Sequence, residues 1–160
     1  MTLRTPLLLA AAMLAGCSHV PLAETAPTPR GMVEQVETTR DGTSTAATVD
    51  SYKADLAQRI YAVNSTQVYT TRPQALLRSV VVVKYTVDGS GNLVRSEIAR
   101  SNHDRTTEST ALSTLRKSAP FPKPSPHLLR NGRLEMHESW LFNNDGRFQL
   151  RSLALAQMDE

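Results

Sequence analysis

The residues of this chain that could do chemistry are few and scattered. Its 160 residues hold four histidines, at 19, 103, 127 and 137, and one cysteine, Cys17. No two histidines stand at the short spacing of a metal-binding pair, and a single cysteine closes neither an internal disulfide nor a cysteine-based zinc site. His137 and Glu138 are neighbours in an extended stretch, so they point to opposite faces and cannot share a metal. Ser101-Asn102-His103-Asp104 contains the residue types of a nucleophilic triad. Triads are assembled across a fold rather than on consecutive positions, and a polar cap ahead of a helix explains the same four residues. Gly89 and Gly91 invite a phosphate-loop reading, but no lysine follows them and a strand comes next. The chain is expected to be no enzyme and to hold no metal or other cofactor.

Cys17 has a different chemistry in prospect. Arg4 supplies a positive start, Leu7 to Leu14 an apolar stretch, and Leu14-Ala15-Gly16 places small residues directly before the cysteine. Residues 1–16 therefore read as a signal peptide. The four residues ending in Cys17 form the pattern of a bacterial lipobox, which would make Cys17 the first mature residue and the site of lipid attachment. An ordinary secretory signal followed by a free thiol is the alternative. Two or three acyl chains hold a protein on a membrane where one is marginal. Ser18, where an aspartate would favour retention at the inner membrane, favours the outer membrane.

Composition narrows the rest. Hydrophobic residues make up 40% and charged residues 21%, with a net charge of +3. These are ordinary values for a soluble domain, and the basic excess is too small to argue for nucleic acid. After the N-terminus no apolar run is longer than four residues, as at Val80 to Val83, far short of the ~20 residues that cross a bilayer. Residues 17–49 carry several prolines, two glycines and many threonines without a sustained period, and read as the lipidated cysteine and a flexible tether.

A single domain is expected over residues 50–155, with a tail at 156–160. Asp50 or Ser51 can cap a first helix whose stripe is Tyr52, Leu56, Ile60 and Val63. Leu76 to Val87 is the strongest strand signal, with Val81, Val83, Tyr85 and Val87 on one face. Asp88 to Asn92 is a turn, and Leu93 to Arg100 a second strand. Asp104 can cap a second helix running to Ser118, with a stripe of Glu108, Ala111, Leu112, Leu115 and Ala119. Pro120 to Pro126 ends it. Gly132 to Asn143 is a third strand with Leu134, Met136, Glu138, Trp140 and Phe142 on one face. Asn143 to Gly146 is a turn, and Arg147 to Leu155 a fourth strand with Phe148, Leu150 and Ser152 inward. The fold class is α+β in the order α-β-β-α-β-β: an antiparallel sheet of three to four strands with two helices on one face.

Several of these pieces together resemble the C-terminal domain of the TonB family and, more distantly, that of TolA. They are Tyr85-Thr86-Val87-Asp88 followed by Gly91, then Ala99-Arg100-Ser101, the helix segment Ala111 to Lys117, and above all its close in Ala119-Pro120-Phe121-Pro122. Tyr52-Lys53-Ala54 also fits. The resemblance covers residues 50 to 143. Full energy transducers of that family carry a transmembrane helix and a long Pro-rich reach, and this chain shows neither. The resemblance therefore implies the family's docking module rather than energy transduction by this chain alone.

The resemblance also implies where docking takes place. A sheet edge offers unpaired backbone groups that a peptide strand can complete. In the family the edge is the strand matching Gly132 to Asn143, so the candidate residues are Arg133, Glu135, His137, Ser139, Leu141 and Asn143. Two readings stand at this point: the edge is free, or Arg147 to Leu155 already covers it. Trp140 and Phe142 read as core. Lys123, Arg130 and Arg133 form a basic rim that would suit an acidic segment. The expected function is a lipid-anchored, periplasm-facing module of the bacterial envelope that binds envelope or outer-membrane proteins in transport. The alternative is a structural subunit or an edge-paired homodimer with no transport role.

Overall fold

The valine run governs the architecture. In the computed structural model, which describes residues 35–71 and 76–154, β1 (Leu77–Asp88) is the longest strand and an inner one. Val81, Val83, Tyr85 and Val87 are buried, while Val80, Val82, Lys84 and Thr86 lie on the other face. β2 (Leu93–Arg100) flanks β1 on one side and β3 (Arg133–Asn143) on the other, both antiparallel. β4 (Phe148–Leu150) lies outside β3, so the sheet order is β2-β1-β3-β4. Two helices, α1 (Val49–Val63) and α2 (Arg105–Ser118), share the core with one face of the sheet. The fold is α+β in the order α-β-β-α-β-β, as the patterning predicts. Cys17, the signal segment 1–16, most of the tether and the tail lie outside the described residues.

The helix ends show how local chemistry sets the boundaries. Asp104 caps α2 as expected, its Oδ1 accepting from Thr106 N–H at 3.1 Å. The cap of α1 is Thr48 rather than Asp50 or Ser51. Thr48 Oγ1 accepts from Ser51 N–H at 3.1 Å, and Ser51 Oγ accepts from Thr48 N–H at 3.0 Å. Serine thus plays the returning role that glutamate or glutamine usually takes in such a box. Both stripes also shift. α1 buries Tyr52, Leu56, Ala57, Ile60 and Tyr61, whereas Val63 is 39% exposed. α2 buries Thr107, Ala111, Thr114, Leu115 and Ser118. Small hydroxyl residues enter the core because their oxygens are satisfied there: Ser118 Oγ donates to Thr114 O, and Trp140 Nε1–H donates to Thr114 Oγ1 at 3.1 Å.

Packing reaches upstream of Asp50. Ser44 N–H donates to Lys123 O at 2.9 Å, and Lys123 N–H donates to Gly42 O at 3.0 Å. Ser44 is buried, and Ala46 joins the core. Residues 38–48, expected inside the tether, therefore lie against the Pro-rich segment that follows α2. That segment in turn docks on the β1–β2 turn, where Phe121 N–H donates to Gly91 O at 2.9 Å. Gly91 has φ +81°, and a Cβ there would stand 2.1 Å from Phe121 O. Only glycine permits this approach.

Candidate functional site: the outer edge of β3

Backbone groups alternate in direction along a strand, so one parity of β3 residues faces β1 and the other faces away. Three observations assign the parity. Asn143 N–H donates to Arg147 O at 2.9 Å, Arg133 exchanges both bonds with Arg130 (3.1 and 2.8 Å), and Ser139 N–H donates to Glu138 Oε1 at 2.7 Å. The odd-numbered residues face away from β1, and these are the six candidate edge residues.

Neither of the two readings of this edge holds over its whole length. β4 is three residues long and pairs only with Trp140, Leu141 and Phe142. The expected strand from Arg147 to Leu155 breaks off because Arg151–Leu153 turns as a 3₁₀ helix towards α1 and β3. The outer edge of β4 is itself closed. Tyr69 N–H donates to Phe148 O at 3.1 Å, and Leu150 N–H donates to the Tyr61 hydroxyl at 3.1 Å. At the other end, the tight turn Arg130–Arg133 occupies the start of β3.

The six residues therefore separate. Leu141 and Asn143 are covered by β4 and its turn, Arg133 by Arg130, and the Ser139 amide by the Glu138 side chain. Glu135 and His137 pair with nothing on this side among the described residues. What stays open among the described residues is a short window holding the N–H and C=O of Glu135 and His137. The side chains of Glu135 and His137 are exposed on the open face of the sheet, where Lys84 Nζ lies 3.0 Å from Glu135 Oε1. Trp140 and Phe142 are fully buried, so they are core and not contact residues.

Glu138 is the residue that sequence reasoning passed over. It sits on the buried face of β3 at 3% exposure. Burial pushes its carboxyl above the ordinary range, and Ser152 and the Ser139 amide offset part of that. Ser152 lies close enough to favour the charged form, yet neither Glu138 Oε2 nor Ser152 Oγ has a partner of good hydrogen-bond geometry among the described residues. A charged residue on an otherwise apolar strand face was the available signal.

The other free edge, that of β2, is less suited to pairing. The β1–β2 ladder has irregularities at Val82/Val83 and Thr86/Val87, and β2 carries Arg95, Glu97 and Arg100. Bulges and charges are the usual means of blunting an edge.

The remaining sequence candidates resolve into structure. Ser101 to Asp104 forms the α2 cap: Asp104 pairs with Arg78 at 2.8 Å, and Asn102 bonds Ser79 and the Arg78 carbonyl. Lys123 Nζ sits 3.8 Å from Asp41, which takes it out of the expected basic rim. Among the described residues no cluster of histidines and carboxylates could hold a metal, and no helix is long and apolar enough to cross a membrane.

A four-stranded antiparallel sheet with two helices on one face defines a small α+β domain. The family model described as TonB C terminal matches residues 49–135, and the chain belongs to that family. Its domains are envelope- and transport-associated, not enzymatic, and interact with envelope or outer-membrane proteins. The match ends inside β3, so the second half of that strand and all of β4 lie past it. No curated protein and no solved structure matches the chain.

Proposed function

We propose that this chain is a lipid-anchored, periplasm-facing docking module that takes an extended segment of an envelope or outer-membrane protein as an added strand on β3, in transport. The observation that carries this reading is the window at Glu135 and His137, flanked by a turn on one side and by Ser139 and β4 on the other. A guest strand there gains main-chain hydrogen bonds, and the flanks limit it to a short segment. The lipid would be on Cys17, with residues 18–37 spanning the distance to the membrane.

The test is hydrogen exchange on the full-length chain, with and without extended peptides taken from periplasm-facing segments of outer-membrane proteins of the same envelope. The amides of Glu135 and His137 should exchange fast alone and slow down with a binding peptide, while Met136 and Glu138, bonded to β1, stay protected throughout. His137→Pro removes one outward-facing donor and leaves the β1 ladder intact. It should weaken peptide capture about ten-fold without unfolding the domain. Slow exchange at both amides in the free monomer would overturn the reading. Protection that grows with protein concentration alone would transfer the edge to a homodimer.

A further inference from the structure

Where β3 begins, Arg130-Asn131-Gly132-Arg133 makes a two-residue hairpin turn. Asn131 and Gly132 have φ of +52° and +70°, the signature of a type I′ turn, and Asn-Gly is the pair best suited to it. The turn places Arg130 and Arg133 directly opposite each other with both backbone bonds exchanged (2.8 and 3.1 Å). Side chains of directly opposed residues project to the same face, and like charges there repel. Both arginines line one concavity of about 740 Å³, together with Arg95, Glu135, Thr86 and an apolar group that includes Val49, Val94, Leu128 and Leu134.

The charges around this concavity are unequally committed. Arg95 pairs with Glu97 at 2.6 Å, and Glu135 pairs with Lys84. Asp88, the acid that feels Arg133, is engaged inside its own turn by the N–H groups of Ser90 and Asn92 and by the Asn92 side chain. Arg130 and Arg133 have no carboxylate within ion-pair distance among the described residues. Two arginines that line one concavity from the same face of a turn, with no ion pair among the described residues, fit a planar anion, which arginine binds through two parallel hydrogen bonds. The apolar lining fits a side chain next to that anion rather than a bare inorganic ion, and the volume is in the range of a ligand site.

We propose that the concavity at the Arg130–Arg133 turn binds a carboxylate-bearing, partly apolar peptide segment of a partner protein. The site adjoins the β3 window at Glu135, but its two arginines lie outside that window, so it stands whether or not a strand adds there.

The experiment is a fluorescence anisotropy titration of the full-length chain in detergent, at low salt, with a labelled alternating glutamate–leucine hexapeptide and its glutamine–leucine counterpart. The acidic peptide should bind at least ten-fold more tightly, and added salt should erase the difference. The double variant Arg130→Gln/Arg133→Gln should abolish it while holding or raising the thermal midpoint, because a repulsive pair has been removed. His137→Pro should leave it unchanged, which separates this site from the strand-addition reading. Equal binding of the two peptides would overturn the proposal. So would unaltered binding by the double variant, or a lower midpoint in that variant, which would make the pair structural. Tighter binding of inorganic phosphate than of the peptide would overturn it in favour of a phosphate-bearing ligand.

Discussion

Glu138 and Ser139 are consecutive, and the carboxylate of the first accepts the outward amide of the second at 2.7 Å. A buried side chain thereby closes the donor that lies between the covered and the uncovered parts of the β3 edge. The interaction bounds the open part of the edge on the β4 side and places a carboxyl group in the core next to Tyr61 and Tyr85. Its energetic consequence depends on pH.

Burial raises the Glu138 carboxyl above its ordinary value of 4.5. A raised folded-state value means that the folded protein holds the proton more tightly than the unfolded chain. The contribution to stability is fully present below pH 4.5 and is lost as pH rises through the folded-state value. Glu138→Gln keeps an acceptor for the Ser139 amide and removes the charge. The variant should be more stable than the parent at pH 7 by about 1 kcal/mol, or about 4–8 °C in midpoint, and the gap should close towards pH 4. Thermal melts across pH 4–8 measure it.

Gly91 supports the docking of the Pro-rich segment, and its replacement is a test of close approach. A Cβ would meet Phe121 O at 2.1 Å, and φ is +81°. Gly146 has nearly the same φ, +80°, but open space around its Cβ position. Gly146→Ala should cost about 1–2 kcal/mol, the left-handed backbone penalty alone. Gly91→Ala should cost clearly more and free Phe121, which urea midpoints and the exchange rate of the Phe121 amide report.

Thr114 is a polar residue with a structural task in the core. Its hydroxyl accepts from the Trp140 indole N–H, and both side chains are buried. Thr114→Val preserves shape and leaves that N–H without an acceptor. The expected loss is about 1–3 kcal/mol, with a shift in tryptophan fluorescence. Thr114→Ser, which keeps the hydroxyl, should recover most of it.

The legible parts of this fold are those where local chemistry and the period agree. The β-branched run from Val80 to Val83 could only be a strand, and its alternation assigned the buried face. Asp104 and the prolines after Ala119 bounded α2 by capping and by the missing N–H of proline. The alternation of β3 placed Trp140 and Phe142 in the core and set Glu135 and His137 on the opposite face. Where a hydroxyl could be satisfied by a helix carbonyl, hydropathy misread the stripe, as at Thr107, Thr114 and Ser118 of α2.

The sequence by itself determined the two helices and four strands, their order, the family and a candidate strand edge. It could do so because helix caps, strand alternation and turn residues act within a few positions of chain. The tertiary structure alone decided how much of that edge is open. The length of β4 depends on Arg151–Leu153 turning onto α1, the closing of the Ser139 amide depends on a buried carboxylate, and the start of the window depends on Arg130 folding back on Arg133. The packing of residues 38–48 likewise depends on Lys123, some eighty positions away. Contacts between residues distant in sequence, or between a side chain and a strand edge, leave no period to read.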